Sequence, residues 1–191
     1  MATGFTRALK RVLRRYRRAE GGVSALEFGF VAAPFLWMLC AVFETGLMLF
    51  AEYIIENGTA QAGRLIRTGQ AQSQAITQGR FRELVCGTLT KVLDCENRLH
   101  VDVRRFPNFQ SIDLPHSRQG KVLSPEVTTG ARFEPGNPLD VVVVRVFYEW
   151  KLFTPGITLL ANLAKDRRLL TAATAFRNEP FPTDQSRASP Q

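Results

Sequence analysis

Glu27 is the residue in this sequence whose placement most needs a chemical reason. Residues 28–43 read FGFVAAPFLWMLCAVF, sixteen positions without a charge, and the apolar character reaches back to Val23. A carboxylate inside such a stretch costs about 2.5–3.5 kcal/mol at mid-membrane and less near an interface, so it is usually paired or functional. Two readings are open: an interfacial Glu whose stem lets the charge reach headgroups, or a charge placed for a partner. The other chemistry-bearing groups are few. The only histidines are His100 and His116, and neither a G-x-S-x-G elbow nor an H-E-x-x-H helix accompanies them. Cys86 and Cys95 lack the second Cys/His pair of a zinc site. Neither a Walker A loop nor a GxGxxG turn occurs. The sequence therefore reads as a non-enzyme with no catalytic residues, no metal, no cofactor and no small-molecule substrate.

The element that must position Glu27 is a helix. From Val23 to Phe43 there are 21 residues, and at about 1.5 Å per residue they cross a hydrocarbon core of about 30 Å. Charge gives this helix a direction. Of 25 Lys+Arg and 17 Asp+Glu in 191 residues, seven cations and one acid fall in residues 1–22, a local net of +6 that leaves +2 of the total +8 for the rest. Basic character confined to one flank disfavours a nucleic-acid-binding face and, by the positive-inside rule, places the N-terminus in the cytoplasm. A cleaved secretory signal is a rival, but its apolar region is about 7–15 residues and ends at small residues. Here the helical pattern runs on: Leu47, Phe50, Ile54, Ala62, Leu65 and Ile66 recur mostly at spacings of three and four. One helix over 24–67 is predicted, roughly 66 Å long, with a bend at Pro34. Ala25, Gly29 and Ala33 stand four apart and form a small-residue stripe suited to close helix approach; ordinary alanine-rich transmembrane composition explains them equally well. Cys40 lies within the span as a small lipid- or helix-facing residue.

Beyond Gly69 the polar run QAQSQ interrupts the pattern, and a second helix is predicted over 73–93, carrying Ile76, Phe81, Leu84, Val85, Leu89, Val92 and Leu93. In an unbroken helix Cys86 and Cys95 would be about 13.5 Å apart, whereas a disulfide needs less than about 7 Å. The helix must therefore end near Asp94 for the two to pair, as expected in an exported, oxidising setting; two buried free thiols are the alternative. Leu99, Val101 and Val103 alternate with polar residues, the period of a half-buried strand. Residues 140–150, DVVVVRVFYEW, put Val142, Val144, Val146, Tyr148 and Trp150 on one face and Arg145 and Glu149 on the other. This reads as a central strand packed on a helix; Arg145 and Glu149 on its outward face could pair or bind a neighbour, but more often such residues lie on a solvated sheet face. A third strand fits 168–176, linked to the second by a short helix near 157–163. The 107–138 connection, with five prolines and three glycines, is expected to be a binding or mobile loop with at most a short strand near 121–123. The tail 182–191 is expected to be disordered.

Gly22–Val23–Ser24–Ala25–Leu26–Glu27–Phe28, behind a basic leader and ahead of an apolar helix, resembles the prepilin class, and more closely the TadE-like pseudopilins of tight-adherence (Flp) pilus systems. Pro34 and the R-x-x-R-T-G run from Arg64 to Gly69 add to the likeness, with weaker echoes as far as Asn178–Phe181. The resemblance implies that a prepilin peptidase cuts after Gly22. Val23 then becomes an ammonium, Phe28 completes the recognition segment, and Glu27 neutralises the N-terminal amine of a neighbouring subunit. It implies further pilin and pseudopilin subunits and an inner-membrane assembly platform as partners, and a head in the periplasm or carried into the pilus.

The expected architecture is α+β: a basic cytoplasmic leader (1–22), a transmembrane and amphipathic helix (23–69), an external head with a helix packed on a short antiparallel sheet (70–181), and the tail (182–191). The expected function is that of a minor pseudopilin. An uncleaved, signal-anchored scaffold of a secretion complex is the nearer rival, and a membrane-tethered enzyme the more distant one.

Overall fold

The computed structural model describes residues 21–88, 93–128, 130–154, 156 and 160–182. The leader upstream of Gly21, the tail beyond Pro182 and residues 157–159 of the short helix expected near 157–163 lie outside the described residues; residues 161–163 of that helix are described and are not helical, Leu163 instead bridging Arg167. The chain divides into two units, Met1–Phe43 and Glu44–Gln191.

Helix α1, Gly21–Arg67, begins in the first unit and runs unbroken through Pro34 into the second. In the first unit its side chains are exposed nearly throughout, including Phe28, Phe30, Phe35 and Phe43. In the second unit α1 is one-sided. Met48, Ala51, Ile55, Ala62 and Ile66 are buried at the three-and-four spacing that lines one helix face. Gly63 lets this face approach the sheet closely, since an added Cβ would stand 3.1 Å from Thr174 and Phe176. Gly69 ends the helix: its φ of +77° and its N–H bond to Ile66 O at 3.0 Å form the left-handed exit that glycine adopts without strain.

After α1 come a short turn of helix, α2 (Gln70–Ser73), and then α3 (Gln78–Thr88). The single helix predicted over 73–93 is thus broken at 74–77. Ala75 takes φ +47°, and the Ile76 N–H reaches back to Ala71 O at 2.9 Å, closing the turn. α4 (Cys95–Arg98) leads directly into β1 (Leu99–Phe106). Cys86 and Cys95 are disulfide-bonded with their Cα atoms 6.0 Å apart, within the reach that pairing requires. The bridge closes a short loop, and the chain-entropy estimate for about nine residues gives about 2.5 kcal/mol. C86S is therefore expected to lower head stability by about that amount in chemical denaturation, and reductant should reproduce the loss in the unmutated chain and add nothing to C86S.

The sheet is three-stranded and antiparallel in the order β1–β4–β5, with β4 (Val141–Lys151) central and β5 (Arg167–Arg177) at the far edge. One face packs on α1 and α3: Leu99, Val101 and Val103 of β1, Val142, Val144, Val146 and Tyr148 of β4, and Leu170 and Ala172 of β5 join Ile55, Ile66, Phe81 and Val85 in one core. Burial pushes the Tyr148 phenol above its ordinary value of 10.0, while a backbone hydrogen bond at Asp94 and the charge of Arg98 pull the other way.

The opposite face is not solvated. Every residue of β4 from Val141 to Glu149 is buried, because the 107–138 connection folds over that face. It carries a 3-10 turn (Phe109–Ser111), a hairpin of β2 (Arg118–Gln119) and β3 (Val122–Leu123), and helix α5 (Pro125–Thr128). Val127 of α5 meets Phe147, Leu163 and Leu169 in a second small core. Phe133 bridges Val103, extending the edge of β1 with N–H···O bonds at 2.8 and 3.0 Å. The connection is therefore not structureless: it is a folded layer packed on the sheet.

Candidate functional site

The residues singled out by sequence at the N-terminal end all lie within the first turns of α1. Gly22 and Val23 lie in its first turn. Ala25, Glu27, Gly29 and Ala33 are exposed, and so is Phe28, at 74%. A Cβ built on Gly29 would meet nothing within 4 Å. Ala25, Gly29 and Ala33, four apart, form one row along the helix, and Glu27 stands about 200° around the axis from Ala25. Among the described residues, Glu27 makes no ion pair or hydrogen bond. Ala25, Gly29 and Ala33 thus make an exposed strip of small residues, with the exposed Glu27 carboxylate on another side of the same apolar helix.

The middle of the same helix holds a feature that sequence reasoning missed. Glu44 is fully buried. Its carboxylate accepts the N–H groups of Phe153 at 2.7 Å and of Thr154 at 2.9 Å, fixing the connection that follows β4 to α1. The available signal was position: Glu44 is the first charge after the sixteen-residue uncharged run.

A second junction joins two stretches that sequence had noted separately. The Glu179 N–H donates to Arg67 O at 2.9 Å, and the Arg67 and Glu179 side chains pair at 3.3 Å. Phe181 lies against Gly69 so closely that a Cβ there would stand 2.4 Å from its ring. Asn178 is buried and donates its side-chain amide to Pro135 O and Asn137 O, each at 2.9 Å. Residues 64–69 and 178–181 therefore form one latch that ties the end of α1 to the end of β5.

The charged residues of the covered sheet face pair with each other. Asp102 of β1 is directly opposite Arg145 of β4. Asp102 accepts from Arg145 Nε at 3.2 Å, from Arg104 Nε at 2.9 Å and from the Arg132 N–H at 3.0 Å. Arg145 also donates to Pro115 O at 2.8 Å and lies over the Phe147 ring at 5.3 Å. Glu149 pairs with Arg167 and stands 3.4 Å from His100 Nε2. The solvated face expected for Arg145 and Glu149 is corrected: both are under 10% exposed, and a cross-strand pair of opposite charges with a layer above it explains why.

A concave pocket of about 300 Å³ borders His100, lined also by Gln78, Arg82, Leu99, Val127 and Thr128. The absence of a pocket thus cannot dismiss an enzymatic head. Its polar groups are engaged structurally: Gln78 Nε2 donates to Val101 O at 3.0 Å, the Thr128 hydroxyl to Ser124 O at 3.5 Å, and His100 faces Glu149. Among the described residues, no hydroxyl or thiol is hydrogen-bonded to either histidine, and no group of three metal-ligating side chains occurs.

Residues 22–64 match the family model of TadE-like proteins, a segment well under half of the chain that contains the exposed strip and Glu44. The matched segment is TadE-like, and α1 is long and apolar enough to cross a membrane. No curated protein and no solved structure matches the chain.

Proposed function

We propose that the chain is a minor pseudopilin acting in assembly of an adhesive tight-adherence pilus. It is inserted in the inner membrane as a single-pass protein, with the basic leader in the cytoplasm and the head outside, and is matured by prepilin peptidase cutting after Gly22. The observation that carries the reading is the coincidence of Gly22, Glu27 and Phe28, at pseudopilin spacing, on an exposed helix start within the TadE-like segment.

In this reading Gly22 leaves the scissile carbonyl unhindered and Phe28 fills the recognition segment. Cleavage turns the Val23 amide nitrogen into an ammonium. In an apolar environment neither that ammonium nor the Glu27 carboxylate is stable alone, and each neutralises the other between neighbouring subunits. A pair of this kind sets register more than it adds net stability, because desolvation offsets most of the attraction. Removing one partner is a different matter: it leaves a buried charge unmatched, at about 3–5 kcal/mol. Glu27→Gln is therefore expected to leave insertion and cleavage intact while lowering co-purification with partner pilins by about a hundredfold. Equal recovery of wild-type and E27Q protein in sheared pili would remove the pairing role.

A further inference from the structure

The connection after β4 bears a feature that subunit maturation does not use. Residues 152–164, LFTPGITLLANLA, contain no charge and are flanked by Lys151 and Lys165, both exposed. Leu152 and Thr154 are buried, yet Phe153 between them is 57% exposed. Its N–H and that of Thr154 are bound by the Glu44 carboxylate at 2.7 and 2.9 Å, and the Leu152 N–H is bound by Asp166 O at 3.0 Å. An apolar side chain is thus held outward on backbone whose donors are already satisfied from within the protein. That is the condition under which a loop tip can enter a water-poor layer, since unpaired N–H groups there cost several kcal/mol each.

Glu44 also fixes where this tip stands. It follows directly on Phe43, the last residue of the uncharged run, so the Phe153 backbone is held at the level where α1 leaves its apolar stretch. On α1, Leu47, Phe50 and Tyr53 remain exposed over the next turns, with half-buried Glu52 among them and exposed Glu56 after them. Tyr53 is an aromatic of the kind that sits at headgroup level, and Lys151, two residues before Phe153, supplies an ammonium that can meet anionic lipid.

We propose that Phe153, with Phe50 and Tyr53, docks the head onto the outer headgroup layer of the bilayer, and that Glu44 is the clamp that sets it there. The proposal rests on the reading of α1 as a membrane anchor. Its continuity with the apolar run and its flanking lysines favour lipid over a second copy of the chain.

The test uses the full chain, reconstituted in vesicles of phosphatidylethanolamine and phosphatidylglycerol, with the photocrosslinker p-benzoylphenylalanine at one position at a time. Phe153→p-benzoylphenylalanine should yield a lipid adduct at least about tenfold above that at Phe109. Phe109 is also exposed but follows the end of β1 that pairs with Val141, at the opposite end of β4 from Phe153. Phe35, within the uncharged run, serves as reference. Lipid adducts at 35 with none at 153, or with 153 linked only to another copy of the chain, overturn the docking and leave the anchor standing. No lipid adduct at 35 overturns the anchor, and the docking with it.

Discussion

Asp102→Ala should lower the stability of the head by about 3–5 kcal/mol, a large part of the 5–15 kcal/mol that holds a typical domain folded. The side chain is 1% exposed, and its two oxygens serve two guanidinium groups and the Arg132 N–H. Without it, Arg145 keeps only Pro115 O as an acceptor, and a buried cation with its counter-charge removed is far worse than no pair at all. The same logic fixes the sign of a second measurement. In D102A/R145L the charges of this cross-strand pair are both gone, so the double variant should recover the part of the loss due to Arg145, while Arg104 and the Arg132 N–H still lack their acceptor. Denaturant titration of the four proteins of this cycle checks both statements. Additive losses would mean that the two residues do not act as a pair.

That pair also marks the boundary of what could be read from sequence. The central strand was legible because Val142, Val144, Val146 and Tyr148 alternate, and α1 because its apolar residues keep helical spacing; both signals are local. The disulfide was legible because an exported head meets an oxidising setting and Cys86 and Cys95, nine positions apart, could meet if the helix ended between them. The fate of the other face of β4 was not local. Whether Arg145 and Glu149 meet water depends on a layer contributed from 115–132, and a stretch rich in proline and glycine gives little periodic sign of folding back. Opposite charges at Asp102 and Arg145 were the available hint, but it needs the strand register before it can be seen. The break at Ala75 had no signal, since alanine seldom takes a positive φ. In the candidate site, Gly22, Glu27 and Phe28 were visible as a pattern, whereas the role of Glu44 requires knowing that the chain returns to it more than a hundred residues later.

Glu44→Ala is the second large effect. It removes the buried acceptor for two N–H groups, and at about 1–3 kcal/mol for each group left unpaired the loss should be about 2–6 kcal/mol. Glu44→Gln keeps the volume but retains a single acceptor oxygen, so it should fall between the wild type and E44A. Hydrogen exchange locates the effect: amides 153 and 154 should exchange faster in both variants, while those of β4 between Val142 and Val146, bonded on both sides within the sheet, follow only the global change. Unchanged exchange at 153 and 154 would mean that the carboxylate does not hold the connection.

The assignment as a pseudopilin turns on what happens at Gly22. The leader carries seven of the 25 basic residues, so its removal changes the charge of the working protein as well as its length, leaving side chains of formal net +2. Mass spectrometry of the intact protein, extracted from membranes of cells with active prepilin peptidase, decides the matter. The account predicts an N-terminus at Val23 and, in cells lacking the peptidase, a chain that retains Gly22 and the basic leader. A leader still attached in both strains would contradict it and leave an uncleaved, signal-anchored scaffold in its place.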